Sequence, residues 1–210
     1  MDENHDSDLA NARAQLSGSI STSMSAHYLP ELDIVGRGLV TIAQADNILE
    51  KFRTIKTPYF PFVVIPQDTD ASTLHLQFPF LFLAIMTVGF EDDFQLQKLL
   101  GAEIKQIISK RVIINNEKKL ELIQGLLVCI CWYHYQFDPE TQQIWLLLQL
   151  ASALTITMDL NRNPTEVGFR IGSTNGTRDM AAEGNGQSDN LTSIAAENRA
   201  FLGCYYLSSV

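Results

Sequence analysis

The sequence predicts an all-α fold. Two observations carry that expectation. Apolar residues recur at three- and four-residue spacing in successive stretches from about position 39 onward, the signature of helices with one buried face. None of these stretches shows the strict alternation of a half-buried strand. The breaks between them are short, so consecutive helices are expected to be antiparallel neighbours.

Residues 1–33 hold six acids against one base, Arg13, with Ser17, Ser19, Ser21, Ser23 and Ser25 between. Such a stretch buries too little apolar surface to offset its ordering entropy, and a disordered N-terminal segment is expected over 1–38. Thr41 precedes Gln44 by three, a capping-box spacing, and Leu39, Ile42, Ile48, Leu49, Phe52 and Ile55 follow at mostly helical intervals. Pro58, Pro61 and Pro66 then forbid a regular helix. The aromatics among them predict an extended segment laid across a helical surface, with Phe60 and Phe62 inserted into it.

After a short polar link, Pro79 suits the first turn of a helix. Phe80–Met86 is apolar all round, which predicts a central, buried helix. Glu91-Asp92-Asp93 place acids where the next helix dipole favours them. That helix carries a stripe of Leu96, Leu100, Ile104, Ile107, Ile108 and Arg111. Asn115-Asn116 break the pattern. Leu120, Ile123, Leu126, Leu127, Ile130 and His134 resume it, through Trp132-Tyr133-His134-Tyr135 to a turn at Asp138-Pro139. Ile144, Leu147, Leu148, Ala151, Leu154 and Met158 line the following helix.

Five of the twelve glycines fall in 163–193, among Asn, Ser and Thr. This reads as a flexible insertion inside one domain spanning 39–210, because the last helix, Glu197 onward, needs the earlier ones to cover its apolar side. No helix-ending residue follows Val210, so that helix is expected to meet further C-terminal structure and the chain to be part of a larger helical protein.

The net charge of −9 and only fifteen basic residues argue against a nucleic-acid surface, since phosphate binding needs clustered Lys and Arg. Three cysteines, Cys129, Cys131 and Cys204, are too few for a disulfide framework and suit a reducing compartment. No secretory leader is expected from the acidic, Ser-rich N-terminal stretch, and the longest apolar runs, near 78–88 and 144–158, are interrupted or shorter than a membrane span. Asn175-Gly176-Thr177 and Asn190-Leu191-Thr192 match the glycosylation pattern but sit in a chain expected to be intracellular.

Chemistry-bearing residues were sought by spacing. Cys129-x-Cys131-x-x-His134 is the best metal candidate, yet on a helix only Cys131 and His134 share a face, two ligands where zinc takes four. Glu91-Asp92-Asp93 lack the carboxylates on successive turns that a magnesium site uses. Gly184-x-Gly186 lacks both the third glycine and the preceding strand of a phosphate loop. The spacing supports no catalytic, cofactor or metal site and no enzyme.

Four stretches, in this order, resemble a known family. Pro58–Val63 followed by Phe78–Leu81 is similar to its proline-aromatic opening into a buried helix, which here runs on to Ala84-Ile85-Met86. Gln124-Gly125-Leu126-Leu127 with Trp132–Tyr135 resembles a helix ending in aromatics before a Gln-rich helix, here Gln142 to Ala151. Met158-Asp159-Leu160-Asn161-Arg162 resembles the close of that helix. Glu197, Arg199, Phe201, Leu202, Tyr205, Tyr206 and Leu207 are similar to a helix that follows a variable insertion. The family is the regulatory middle homology region of fungal zinc-cluster transcription factors, covering about 40–210.

The resemblance implies a multi-helix regulatory domain of a nuclear protein controlling metabolic or biosynthetic genes through protein partners, self-association or a small-molecule effector. The family contacts DNA through a six-cysteine zinc cluster. No cysteine precedes Cys129, so no zinc cofactor, no direct DNA contact and no membrane partner are expected of this chain. Two alternatives stay open: an all-α enzyme with a buried site, and a pure protein-interaction scaffold.

Overall fold

The computed structural model describes residues 32–136, 143–160 and 186–209. Most of the expected N-terminal disorder, the Asp138-Pro139 turn, Gly184 and much of the 163–193 insertion lie outside the described residues. Among the described residues the secondary structure is helical throughout. Seven helices carry the fold: α1 Ile42–Lys51, α2 Ala71–Gln77, α3 Pro79–Gly89, α4 Phe94–Ile108, α5 Leu120–Cys131, α6 Ile144–Thr157 and α7 Gly186–Ser208.

Ordered chain begins earlier than the expected boundary at 39. Leu32, Ile34 and Val40 are buried, and the stretch between them folds into a tight hook. Asp33 accepts from the Gly36 amide at 2.7 Å, Gly38 takes the left-handed conformation at φ 72°, and the Leu39 amide donates back to Ile34 at 3.0 Å. Arg37 then forms a two-pronged pair with Glu103 of α4 at 2.8 and 2.7 Å.

Thr41 and Gln44 do form the capping box that opens α1. Past Lys51 the helix widens into a π-turn, Phe52–Lys56, and one further turn, Thr57–Tyr59. The proline segment then turns inward. Phe60, Val63 and Ile65 are buried and Phe62 is half-buried, as the aromatic content predicts. Its carbonyls cannot join a ladder, so Arg53 of the π-turn supplies the donors, to Ile65 at 3.4 Å, Pro66 at 2.7 Å and Thr69.

The expected polar link before Pro79 is instead a two-turn helix, α2. Asp70 caps it through the Thr73 amide at 2.7 Å, and Asp46 of α1 takes the Ala71 amide at 3.0 Å. Seven residues are too few for periodicity to register; the cap carried the signal.

α3 is the axis of the molecule. Every residue from Phe80 to Val88 is buried, because α1, α2, α4 and α5 all pack against it. α5 is its principal partner and is likewise buried from Glu121 to Ile130. Their approach depends on Gly125, where a Cβ would stand 2.5 Å from a ring carbon of Phe80. α5 in turn carries α6 and α7. α7 seats through Ala200, Gly203 and Cys204, and a Cβ at Gly203 would meet Phe62 at 2.9 Å and Leu127 at 3.0 Å.

The α4 stripe departs from expectation at one position. Gln97 is buried while Leu96 is only half-buried. The Gln97 amide reaches the Thr87 carbonyl at the end of α3 at 3.0 Å, satisfying a buried group that a leucine would leave unmade. α4 then also widens into a π-turn, Ser109–Ile114, and stops at Asn116, whose φ of 52° asparagine tolerates. α6 closes in a Schellman motif: Asp159 at φ 55°, with Asp159 and Leu160 amides returning to Ile156 and Thr155 at 3.0 and 2.9 Å.

Gly125→Ala should lower unfolding stability in urea by about 1–3 kcal/mol, overpacking against Phe80 outweighing the better helix propensity of alanine. In combination with Phe80→Leu the loss should be clearly smaller than the sum of the two single losses.

Candidate functional site

The residues singled out for chemistry do not converge. Cys129 is buried, Cys131 half-buried, and His134 exposed on the 3₁₀ turn that follows α5. Asp93 is occupied as the N-cap of α4, accepting from Leu96 at 2.9 Å. Glu91 pairs instead with Lys56 across from α1 at 2.6 Å. Among the described residues no group of three or more His, Cys, Asp or Glu is arranged to hold a metal ion. Burial pushes the Cys131 thiol up to about 11 and the Cys204 thiol up to about 12, the reverse of an activated nucleophile.

Lys56 anchors a polar corner on the aromatic core. The hydrogen bond from Lys56 holds the Glu91 carboxyl below the usual glutamate range, against the opposing effect of partial burial. The same ammonium lies 5.3 Å from the centre of the Trp132 ring, a cation–π geometry. Trp132 meets Phe52 and Phe60 edge-on at 5.9 and 6.0 Å, and Phe60 and Phe62 continue to Tyr206 of α7. Beneath Lys56 a cavity of about 60 Å³ opens between Phe52, Ile85 and Gly89. Pockets for organic ligands run to several hundred Å³, so this one admits little beyond water.

A second polar group is sealed in the core. Arg111, in the apolar stripe of α4, binds Glu117 at 2.9 Å and Glu121 at 2.6 Å. Both Arg111 and Glu121 are buried, and Arg111 Nη1 and Glu121 Oε2 make no hydrogen bond. Burial opposes the Arg111 charge, but the two carboxylates more than offset it and hold its pKa above the ordinary value. Glu117 is likewise raised by burial yet held net below its usual range by the Arg111 hydrogen bond. A cation at a core-facing helix position, with acids six and ten residues on, is a pattern visible in sequence that spacing motifs for catalysis do not test.

What remains open is apolar surface. Ile113 and Ile114 stand 68 and 76% exposed at the end of α4, and Trp145 and Leu146 60 and 64% at the start of α6. Ile156, Leu202 and Tyr205 are also more exposed than buried. Side chains of this kind mark contact surfaces when they gather.

Residues 39–209 match the profile of the fungal specific transcription factor domain. The chain belongs to this family. It is 33% identical over 181 residues to transcription factor himD of Aspergillus japonicus, covering 86% of this chain and 28% of that relative. It is 29% identical over 171 residues to transcription factor opdL of Penicillium oxalicum, covering 81% of this chain and 30% of the relative. Transcription factor pbcR of Emericella nidulans is 26% identical over 170 residues, 78% of this chain and 22% of its own. The chain thus spans under a third of the length of these relatives. No solved structure matches it significantly. The family is one of transcription factors and not of enzymes. Among the described residues no helix is long and apolar enough to cross a membrane.

Arg111→Ala should cost roughly 3–5 kcal/mol in urea unfolding by stranding two carboxylates, whereas joint replacement of Arg111, Glu117 and Glu121 by apolar residues should cost far less. Because Glu117 is depressed when folded, its contribution is present above the usual glutamate range and fades as pH falls through its folded pKa; Arg111→Ala should flatten that acid loss. Iodoacetamide at pH 8 should modify Cys131 and Cys204 at least about 10-fold more slowly in the native chain than in denaturant, since burial leaves few thiolates.

Proposed function

We propose that this chain works in transcriptional regulation in the nucleus as a protein-contacting regulatory domain, with DNA contact supplied by other parts of the assembly. The observation that carries this reading is the exposed apolar surface at the end of α4 and the start of α6. Ile113, Ile114, Trp145 and Leu146 offer contact area without chemistry. The relatives' names place the family in transcription, and an acidic chain of net charge −9 repels a phosphate backbone. A small-molecule effector has weaker support, since the cavity of about 60 Å³ beneath Lys56 is too small for one and the larger hollow between α4 and α6 is an open groove.

Tethering the chain to an unrelated DNA-binding module at a fungal reporter should change transcription several-fold in one direction. The chain alone should give no sequence-selective shift of duplex DNA, with or without zinc. An unchanged reporter, or tight sequence-selective binding, would overturn the reading.

A further inference from the structure

Between the end of α4 and the start of α6 lies an open groove of about 710 Å³. The two helices do not pack closely on each other; each is held by the central pair, α4 on α3 and α6 on α5. The floor is made by Ile108 and Leu147, both buried. The walls are Ile113 and Ile114 on one side and Leu146 on the other, all exposed. The π-turn brings this about. It continues α4 with i→i+5 bonds, closed by the Asn115 amide on Lys110 at 2.9 Å, and carries two consecutive isoleucines to the rim.

The charge of the groove is the reverse of the chain's. Lys105 and Lys110 line it and no Asp or Glu does, although the chain carries 24 acids against 15 basic residues. Both lysines lie on the helix whose isoleucines form the wall, five residues apart. The stretch from Lys105 to Ile114 is about 15 Å long at 1.5 Å per residue, the length of a two- to three-turn helix.

We propose that this groove is the docking site for an acidic amphipathic helix of a partner protein. Apolar side chains at i, i+3 or i+4, and i+7 would fill the trough over Ile108 and Leu147, and flanking Asp or Glu would face Lys105 and Lys110. A second copy of this chain is a rival occupant, and self-association is scored as such in the test. A nucleic acid is disfavoured by the apolar floor. The inference rests on the reading that the chain acts through protein contacts and names one such contact.

The test is fluorescence anisotropy of the full chain with two labelled synthetic helical peptides. They share Leu at the anchor positions and differ only in carrying Glu or Lys between them. The Glu peptide should saturate in the micromolar range and the Lys peptide should bind at least about 10-fold more weakly at low salt. Lys105→Glu with Lys110→Glu should reverse that preference. Ile113→Ser with Leu146→Ser should weaken the Glu peptide about 10-fold; these side chains are exposed, and an unchanged thermal melt shows that the fold survives. Saturation by neither peptide, equal binding of both, self-association in place of peptide binding, or a preference unmoved by charge reversal would overturn the proposal. None of these results would disturb a positive reporter outcome, so the groove and the broader protein-contact reading fail separately.

Discussion

The close crossing of α3 and α5 is the constraint on which the rest of this structure depends. A helix buried on every side needs neighbours on every side, and Phe80–Val88 is such a helix. Its ring at Phe80 lies against bare backbone at Gly125, so the two most apolar helices approach more nearly than side chains on both would permit. α1, α2 and α4 then cover the remaining faces of α3, and α6 and α7 cover α5. The order of helices in the chain thus becomes an order of layers around one axis. Polar residues at the margins are explained by the same packing. Gln97 is buried because the end of α3 offers a carbonyl to satisfy, and Arg53 spans the proline segment to donate to its Ile65 and Pro66 carbonyls.

The ionisable groups of this domain serve the fold. Arg37 with Glu103 and Lys56 with Glu91 join segments 66 and 35 residues apart in the chain, and Arg111 ties the π-turn after α4 to Glu117 and to Glu121 of α5. A buried pair of this sort adds little net stability over apolar residues of the same shape, but removing one partner is costly, which makes it a device for specifying an arrangement. Beside these pairs the domain leaves an apolar surface open for recognition, with Lys105 and Lys110 at its edge. It gathers where two helices are held apart by the elements they stand on.

Much of the architecture was legible in the amino-acid pattern, for identifiable reasons. The capping box at Thr41, the all-apolar run at Phe80, the break at Asn115-Asn116 and the stripe from Ile144 to Met158 are local signals, read within a few residues. The departures are also physical. α2 was missed because a two-turn helix has too little periodicity, and Asp70 as its cap was the sign that remained. The part of the hook before residue 39 falls in the expected polar tail because its buried residues, Leu32 and Ile34, stand among Asp, Gly and Arg that complete the turn. Of the candidate site, spacing indicated only that Cys131 and His134 share a helix face; where Cys129, Asp93 and Glu91 lie in the fold came from the structure. The groove was not visible, since Lys105 and Ile113 are 33 to 41 residues from Leu146 in the chain.

By itself the sequence determined most of the helical segments, several of their caps and breaks, and the burial of Phe80–Met86 on every side; it did not give the two-turn helix α2 or the turns of α7 before Glu197. Those properties follow from short-range periodicity and backbone preference, whereas the family came from the resemblance of four stretches in their order. Only the tertiary structure decided how closely α3 and α5 approach, which acids Arg111 meets, and where exposed isoleucines and lysines face a second helix across a gap. Such features depend on distances between residues far apart in the chain, which no local pattern encodes.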